Sequence, residues 1–497
     1  MTNPAYRELT HRQTRLHHLQ HLQAIAGWDQ ASNMPSKGNE ARSNAMAELD
    51  GLMHQMRTEA SLSDLIAQAQ AAPLSEQESA NLREIKREWQ SNCALPQALV
   101  EARVLATSRC EHAWRTQRQA NDWAGYLPNL REVVRITREE AAYLAKASGL
   151  SRYDALLDRY EPGMTGAELD RVFGAMRQWL PGLIQQVRAK QSSEPVQQAL
   201  GPFCKVAQKA LSVDVMQMLG FDFEAGRLDE STHPFCGGVP EDVRITTRYR
   251  EDSFSQSMTG TMHETGHARY EQNLPREHLG QPVAKARSMG IHESQSLSFE
   301  MQLGCDAKVV ALLAPLVRKH LGDQAAFETS NLVKLLTRVA PGYIRVDADE
   351  VTYPAHVIMR YEIERALVEG EIEVEDIPAL WDAKMLELLS IDTRGNYKDG
   401  CMQDVHWGAG LIGYFPSYTL GAMYAAQWFA AMRSQMPELD SELAKGNLQP
   451  VFDWLKREIW QQGSRFTTQE LTVKASGEPL NPEHFKAHLE RSYLAAS

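Results

Sequence analysis

The sequence predicts a mainly α-helical fold with a small β-sheet beside one key helix, and three observations carry that expectation. Apolar residues recur at helical steps, strand signals are few, and a pair of histidines stands four positions apart on an uninterrupted helical run. Over the first two hundred residues Leu9, Leu16, Leu19 and Ile25, then Leu49, Leu52, Met53 and Met56, return every three or four positions with polar residues between them. Breaks fall where turn chemistry demands them, at Met34-Pro35-Ser36-Lys37-Gly38, Ala71-Ala72-Pro73, Leu95-Pro96 and Glu161-Pro162-Gly163. No repeat and no low-complexity linker divides the chain, so residues 1–497 are expected to form a single domain. The strand candidates are VRITTRY at 243–249, where Val243, Ile245, Thr247 and Tyr249 alternate with polar neighbours, and Tyr343-Ile344-Arg345-Val346. They flank the histidine stretch, which suggests a small sheet next to it.

Composition narrows the function. A chain of 497 residues with 43 % apolar content can bury a large core. Its formal charge of −12, with no long basic block, argues against a nucleic-acid partner. The first residues lack the basic head and apolar middle of a secretory signal. The longest apolar runs, such as VVALLAPLV, fall short of the roughly 20 residues that span a bilayer, so no membrane association and a cytoplasmic location are expected. Six scattered cysteines form neither a zinc ribbon nor a CxxC pair and are read as reduced and mostly buried.

The chemistry gathers in MHETGHARYE, residues 262–271. On a helix over 254–273, His263 and His267 share one face and can reach a single ion, while Glu264 stands about 100° further round. There it faces the open coordination position, where it can take a proton from water; this is the HExxH arrangement of a zinc hydrolase. The plainer alternative is two histidines on a polar helix face. A catalytic zinc usually takes three protein ligands, and the next helical run, SMGIHESQSLSFE, offers Glu293 in its first turn, with neighbouring His292 as the competitor. Spacing leaves that choice open. His17, His18 and His21 also include an i, i+4 pair, but no acidic residue or cysteine accompanies them, and they are read as a solvated helix face.

HETGH followed by HESQ resembles the carboxypeptidase Taq family of zinc metallocarboxypeptidases. Further blocks carry the likeness along the whole chain: WDQASNMP (28–35), HPF (233–235), DVRIT (242–246), IRVDAD (344–349), GCMQDVHW (400–407) and GYFPSYTLG (413–421). Ser298-Phe299 depart from it, standing where such sequences tend to carry bulkier residues and a tryptophan. The resemblance implies a metal held by His263, His267 and Glu293, Zn2+ by its donor set, with Co2+ or Mn2+ also accepted by such ligands. It implies a general base in Glu264 and a deep groove containing the metal, covered in part by the N-terminal helices of residues 1–90, with the catalytic segments within 230–421. For the oxyanion it points to His406 with Tyr418, and Tyr414 is the fallback. Removal of C-terminal residues requires a cation for the terminal carboxylate; Arg345 is the expected clamp and Arg244 its competitor. His233 is expected to border the groove. The expected partners are peptides with a free C-terminus and a second copy in a homodimer. An endopeptidase or dipeptidase of the same class, or a metal-stapled binding protein, are the alternatives. An aminopeptidase fits less well, since Gly421-Ala422-Met423-Tyr424 lacks an acidic residue for an amino terminus.

Overall fold

A computed structural model describes residues 3–232 and 234–495, and helices dominate it as expected. The chain opens with four helices, α1 (Pro4–Ser32), α2 (Asn39–Thr58), α3 (Ser61–Gln70) and α4 (Glu76–Cys93). Ser75 and Glu78 close a reciprocal capping box at the start of α4. Leu9, Leu62, Ile66, Leu82 and Ile85 from this group build a small core of their own, separate from the main one. Helices α5 (Gln97–Gln117), α6 (Trp123–Ser148), α7 (Arg152–Leu157), α8 (Gly166–Ser192) and α9 (Lys205–Met218) follow. Gly149 ends α6 in the left-handed region at φ 77°, which a side chain would strain.

Strands β1 (Gly226–Glu230), β2 (Phe235–Val239) and β3 (Asp242–Thr247) form one sheet in the order β1-β3-β2, with β1 parallel and β2 antiparallel to β3. Val243 and Ile245 point into a local core, as their alternation predicted. The second expected strand is absent: Ile344 is extended, but Arg345–Asp347 close a 3-10 turn. Pro341 and Gly342 precede it, and among the described residues no partner strand lies alongside; a short β-branched run without a ladder gains nothing from extension. The sheet therefore lies wholly upstream of the histidine helix instead of bracketing it.

After the sheet come α10 (Ser255–Gln272), α11 (Met289–Leu297), α12 (Ala307–Leu321), α13 (Thr329–Leu336), α14 (Tyr353–Glu369), α15 (Ile377–Leu389) and α16 (Pro416–Gln435). Four further helices, α17 (Leu439–Ala444), α18 (Gln449–Glu458), α19 (Thr468–Ser476) and α20 (Pro482–Leu489), complete the chain. Helix α11 lies between α10 and α16 and touches both. Two glycines make this contact possible. A Cβ on Gly266 of α10 would sit 2.3 Å from the Gln295 carbonyl, and one on Gly421 of α16 would sit 2.6 Å from the Cβ and Cγ of Glu293. The α10 contact is backbone on backbone and the α16 contact is backbone on the Glu293 side chain, so α11 is held at a fixed depth between its neighbours. Of the six cysteines, all free, Cys110 and Cys401 are buried, Cys236 and Cys305 half-buried, and Cys93 and Cys204 exposed, so the expectation of mostly buried thiols holds only for the first four.

Candidate metal centre and substrate groove

Helix α10 presents His263 and His267 one turn apart, and α11 brings Glu293 up to both. Oε2 of Glu293 lies 3.8 Å from Nε2 of His263 and 3.4 Å from Nε2 of His267. The three donor atoms all lie within 4.8 Å of one another, and among the described residues no other group of three such side chains was found. For bonds of about 2.0–2.1 Å to a tetrahedral ion the donor-to-donor edge is about 3.3 Å. The spacing therefore fits one cation with a small inward adjustment of Glu293 and His263.

Each imidazole is oriented through its other nitrogen. Nδ1 of His263 meets Oε2 of Glu300 at 2.8 Å. Nδ1 of His267 meets Nδ1 of His292 at 2.6 Å, and Nε2 of His292 meets Oε1 of Glu271 at 2.8 Å. Read from the carboxylate inward, Glu271 accepts from His292 Nε2–H, His292 accepts at Nδ1 from His267 Nδ1–H, and Nε2 of His267 is left free for a cation. His292, the competing candidate in the sequence, thus supports His267 and is not one of the three converging donors. Glu300 reaches His263 from the π-helical turn Ser298–Leu303 that follows α11. Phe299 in that turn stacks on Phe452 with ring centres 5.6 Å apart.

The field at this point favours positive charge. Burial pulls the His263 imidazole down, yet the carboxylates of Glu293, Glu300 and Glu264 outweigh it and raise it to about 10. His267, facing a second imidazole, is dropped by burial to about 4. Burial pushes the Glu264 carboxyl up to about 7 against the pull of His263, which puts it in the range suited to taking and returning a proton near neutrality. Glu264 is buried on the same helix, 7 % exposed, and among the described residues no ion pair locks it.

His406 and Tyr418, twelve residues apart, are brought together: Nε2 of His406 lies 3.2 Å from the Tyr418 hydroxyl. Burial lowers the imidazole to about 4 and raises the phenol to about 12, so both are neutral across the physiological range. Tyr414 packs edge-on to Tyr418 at 5.3 Å and to Tyr160 at 5.1 Å, within the same aromatic wall.

Arg345, the expected carboxylate clamp, lies inside the protein. It is only 3 % exposed, and its fork is occupied: Nη2 lies 2.9 Å from Oδ1 of Asp404 and Nη1 donates to the Tyr353 hydroxyl at 2.9 Å. The expected clamp is thus held in a buried ion pair with a partner 59 residues away. Arg360 shares the same carboxylate at 2.7 Å, so two guanidiniums face one Asp404, and the cluster keeps an excess of one positive charge beneath the Tyr418 ring, 4.8 Å from Arg345 Cζ. Both arginines hold the Asp404 carboxyl far below the usual range despite its burial. Arg244, the competitor, forks onto Asp242 in its own strand and lies 4.4 Å over the Trp28 ring of α1. It ties the N-terminal helices to the sheet. His21 approaches the same Asp242 at 3.5 Å, and His17 packs against Gly280, so that histidine group helps dock α1 where a solvated helix face was expected. His233 lies outside the described residues.

Sequence reasoning missed Glu300, Glu271, Tyr353 and Asp404. Glu300 had a signal, since it follows Glu293 by seven positions and so shares its helical face. Asp404 stood unremarked inside the QDVHW block that supplied His406.

Comparison with known proteins gives a consistent result. A profile described as carboxypeptidase Taq (M32) metallopeptidase matches residues 8–493. The chain is 38 % identical over 503 residues to the thermostable carboxypeptidase 1 of Thermus thermophilus, covering 99 % of this chain and 98 % of that one. It is 35 % identical to carboxypeptidase 1 of Bacillus subtilis, with 96 % of each covered. Among solved structures, metallocarboxypeptidase 1 of Trypanosoma cruzi superposes with a TM-score of 0.97 at 46 % identity, covering 99 % of both chains.

Proposed function

Because the chain belongs to the carboxypeptidase Taq (M32) metallopeptidases and is a metal-dependent carboxypeptidase, we propose how its residues divide the work. His263, His267 and Glu293 hold one divalent cation, Zn2+ by preference for two imidazoles and a carboxylate, with Co2+ or Mn2+ as substitutes. That cation, when bound, supplies Lewis acidity, which brings the pKa of water toward about 7 and polarises the scissile carbonyl. Glu264 takes the proton of the attacking water and passes it to the departing amine. His406, as the Nε2–H tautomer, donates to the Tyr418 oxygen and so turns the Tyr418 O–H toward the developing oxyanion. The observation that carries this reading is the trio of donors at near-tetrahedral spacing beside a buried carboxyl poised near 7.

We propose that the Arg345–Arg360–Asp404 cluster closes the groove electrostatically. Its single excess charge, buried beneath Tyr418 and Tyr353, attracts the substrate's terminal carboxylate without giving up the Asp404 pair. In this reading Arg345 acts as field source and scaffold, and the Tyr353 hydroxyl is the donor nearest the carboxylate. The N-terminal helices, with their own small core, serve as the cover of the groove. Peptides with a free C-terminus are the substrates. A homodimer and a cytoplasmic setting complete the proposal; among the described residues no helix is long and apolar enough to cross a membrane.

One peptide, prepared with a free and with an amidated C-terminus, tests the proposal. The free form is expected to give a ladder losing one residue at a time, abolished by chelator, and the amidated form no cleavage. Equal cleavage of both would make the enzyme an endopeptidase and remove the role given to the arginine cluster.

A further inference from the structure

Glu161 has no part in the chemistry above, yet it is 1 % exposed and joins the two helices on which that chemistry depends. It sits on the turn after α7, and Oε1 accepts hydrogen bonds from the Gly290 N–H and from the Ser417 hydroxyl at 2.7 Å. Gly290 is the second residue of α11 and Ser417 the second of α16. Glu293 follows Gly290 by three positions, about 4.5 Å along the axis, and Tyr418 follows Ser417 directly. The same turn is fixed twice more: the Met289 N–H donates to the Tyr160 carbonyl at 2.9 Å, and the Tyr160 ring meets Tyr414. A Cβ on Gly290 would lie 2.9 Å from Glu161 Oε1, so glycine is required for this approach. An acceptor oxygen is favoured where the positive ends of two helices converge. Mere helix capping would be satisfied by water or by one hydroxyl on each helix; here one buried oxygen is shared between both.

We propose that Glu161 is a positioning residue that locks α11 to α16, fixing the distance from the cation held by Glu293 to the oxyanion donor Tyr418. The inference rests on the ligand and donor roles assigned above.

The test uses the full chain and three variants, Glu161→Ala, Glu161→Gln and Ser417→Ala. The readouts are Zn2+ dissociation by chelator competition, kcat and KM on a short unblocked peptide, and thermal stability. Glu161→Ala is expected to weaken Zn2+ binding about tenfold and to lower kcat at least about tenfold with KM within about twofold. Glu161→Gln keeps an acceptor oxygen and is expected to restore both to within about threefold. Ser417→Ala frees only α16 and is expected to lower kcat while Zn2+ affinity stays at the wild-type value. A folded Glu161→Ala enzyme with wild-type affinity and kcat but a lower melting temperature reduces Glu161 to a cap and overturns the proposal. If that variant does not fold, Ser417→Ala decides: unchanged kcat overturns it. Failure of the wild-type chain to bind Zn2+ refutes the ligand assignment instead, and the two failures are thereby separated.

Discussion

Gly421→Ala puts a methyl group where α16 touches Glu293, the carboxylate proposed to bind the metal. The added Cβ would lie 2.6 Å from both Cβ and Cγ of Glu293. Carbon atoms settle at about 3.5–4.0 Å, so the side chain or the helix must retreat by about 0.9 Å or more. Glu293 Oε2 already stands 3.4 Å from His267 Nε2, close to the about 3.3 Å edge of a tetrahedral site, and a retreat of that size carries it out of bonding range. Overpacking of this kind costs about 1–3 kcal/mol of stability, and misplacing a ligand lowers metal affinity about 10–100-fold. Zn2+ competition against a chromophoric chelator reads the second effect, and thermal unfolding followed by circular dichroism reads the first. Gly260→Ala is the control. It lies on α10 with nothing within 4 Å of the added Cβ, so it should leave Zn2+ affinity alone and gain about 0.5–1 kcal/mol of helix stability. Wild-type Zn2+ affinity in Gly421→Ala would refute the claim that close helix contact sets the position of Glu293.

Three further outcomes follow from the same geometry. Glu264→Gln should retain stoichiometric Zn2+ and lose turnover by more than about a hundredfold, measured by metal content and residue release on the same sample. Glu300→Ala should weaken Zn2+ binding about 10–100-fold because His263 loses the partner of its Nδ1; chelator competition checks it. Burial would raise the Glu84 carboxyl, but Arg287, Arg87 and Arg83 outweigh it and hold it at about 2 instead of 4.5. Since the folded value lies below the unfolded one, the stabilisation is complete above about pH 4.5 and is lost as the pH falls toward 2. Arg287→Ala should cost about 3–5 kcal/mol at neutral pH and flatten that acid slope in urea titrations.

The helical class and the pair on α10 were legible because they rest on local spacing. An i, i+4 relation needs nothing beyond helix geometry, and a long run without proline supplies the helix. Spacing alone left Glu293 and His292 as neighbouring candidates and the family resemblance pointed to Glu293; the face of α11 that meets α10 is set by Gly266 and Gly421 on two other helices. Residues 343–346 show the limit for strands. Tyr, Ile and Val favour extension, but a strand needs a ladder partner, and none runs there among the described residues. Arg345 was singled out by its type, while its burial against Asp404 was hidden because ion-pair partners remote in sequence leave no periodic trace. Glu161 was hidden more deeply. Its partners lie 129 and 256 residues downstream, and the sequence marked its position only as a turn.

Crystals of the full chain grown with Zn2+ and measured across the zinc absorption edge put the central claim to its most direct test. One anomalous peak per chain is expected, within about 2.0–2.2 Å of Nε2 of His263, Nε2 of His267 and a carboxylate oxygen of Glu293. A peak elsewhere, or an ion bound by the two histidines with Glu293 turned away, would contradict it.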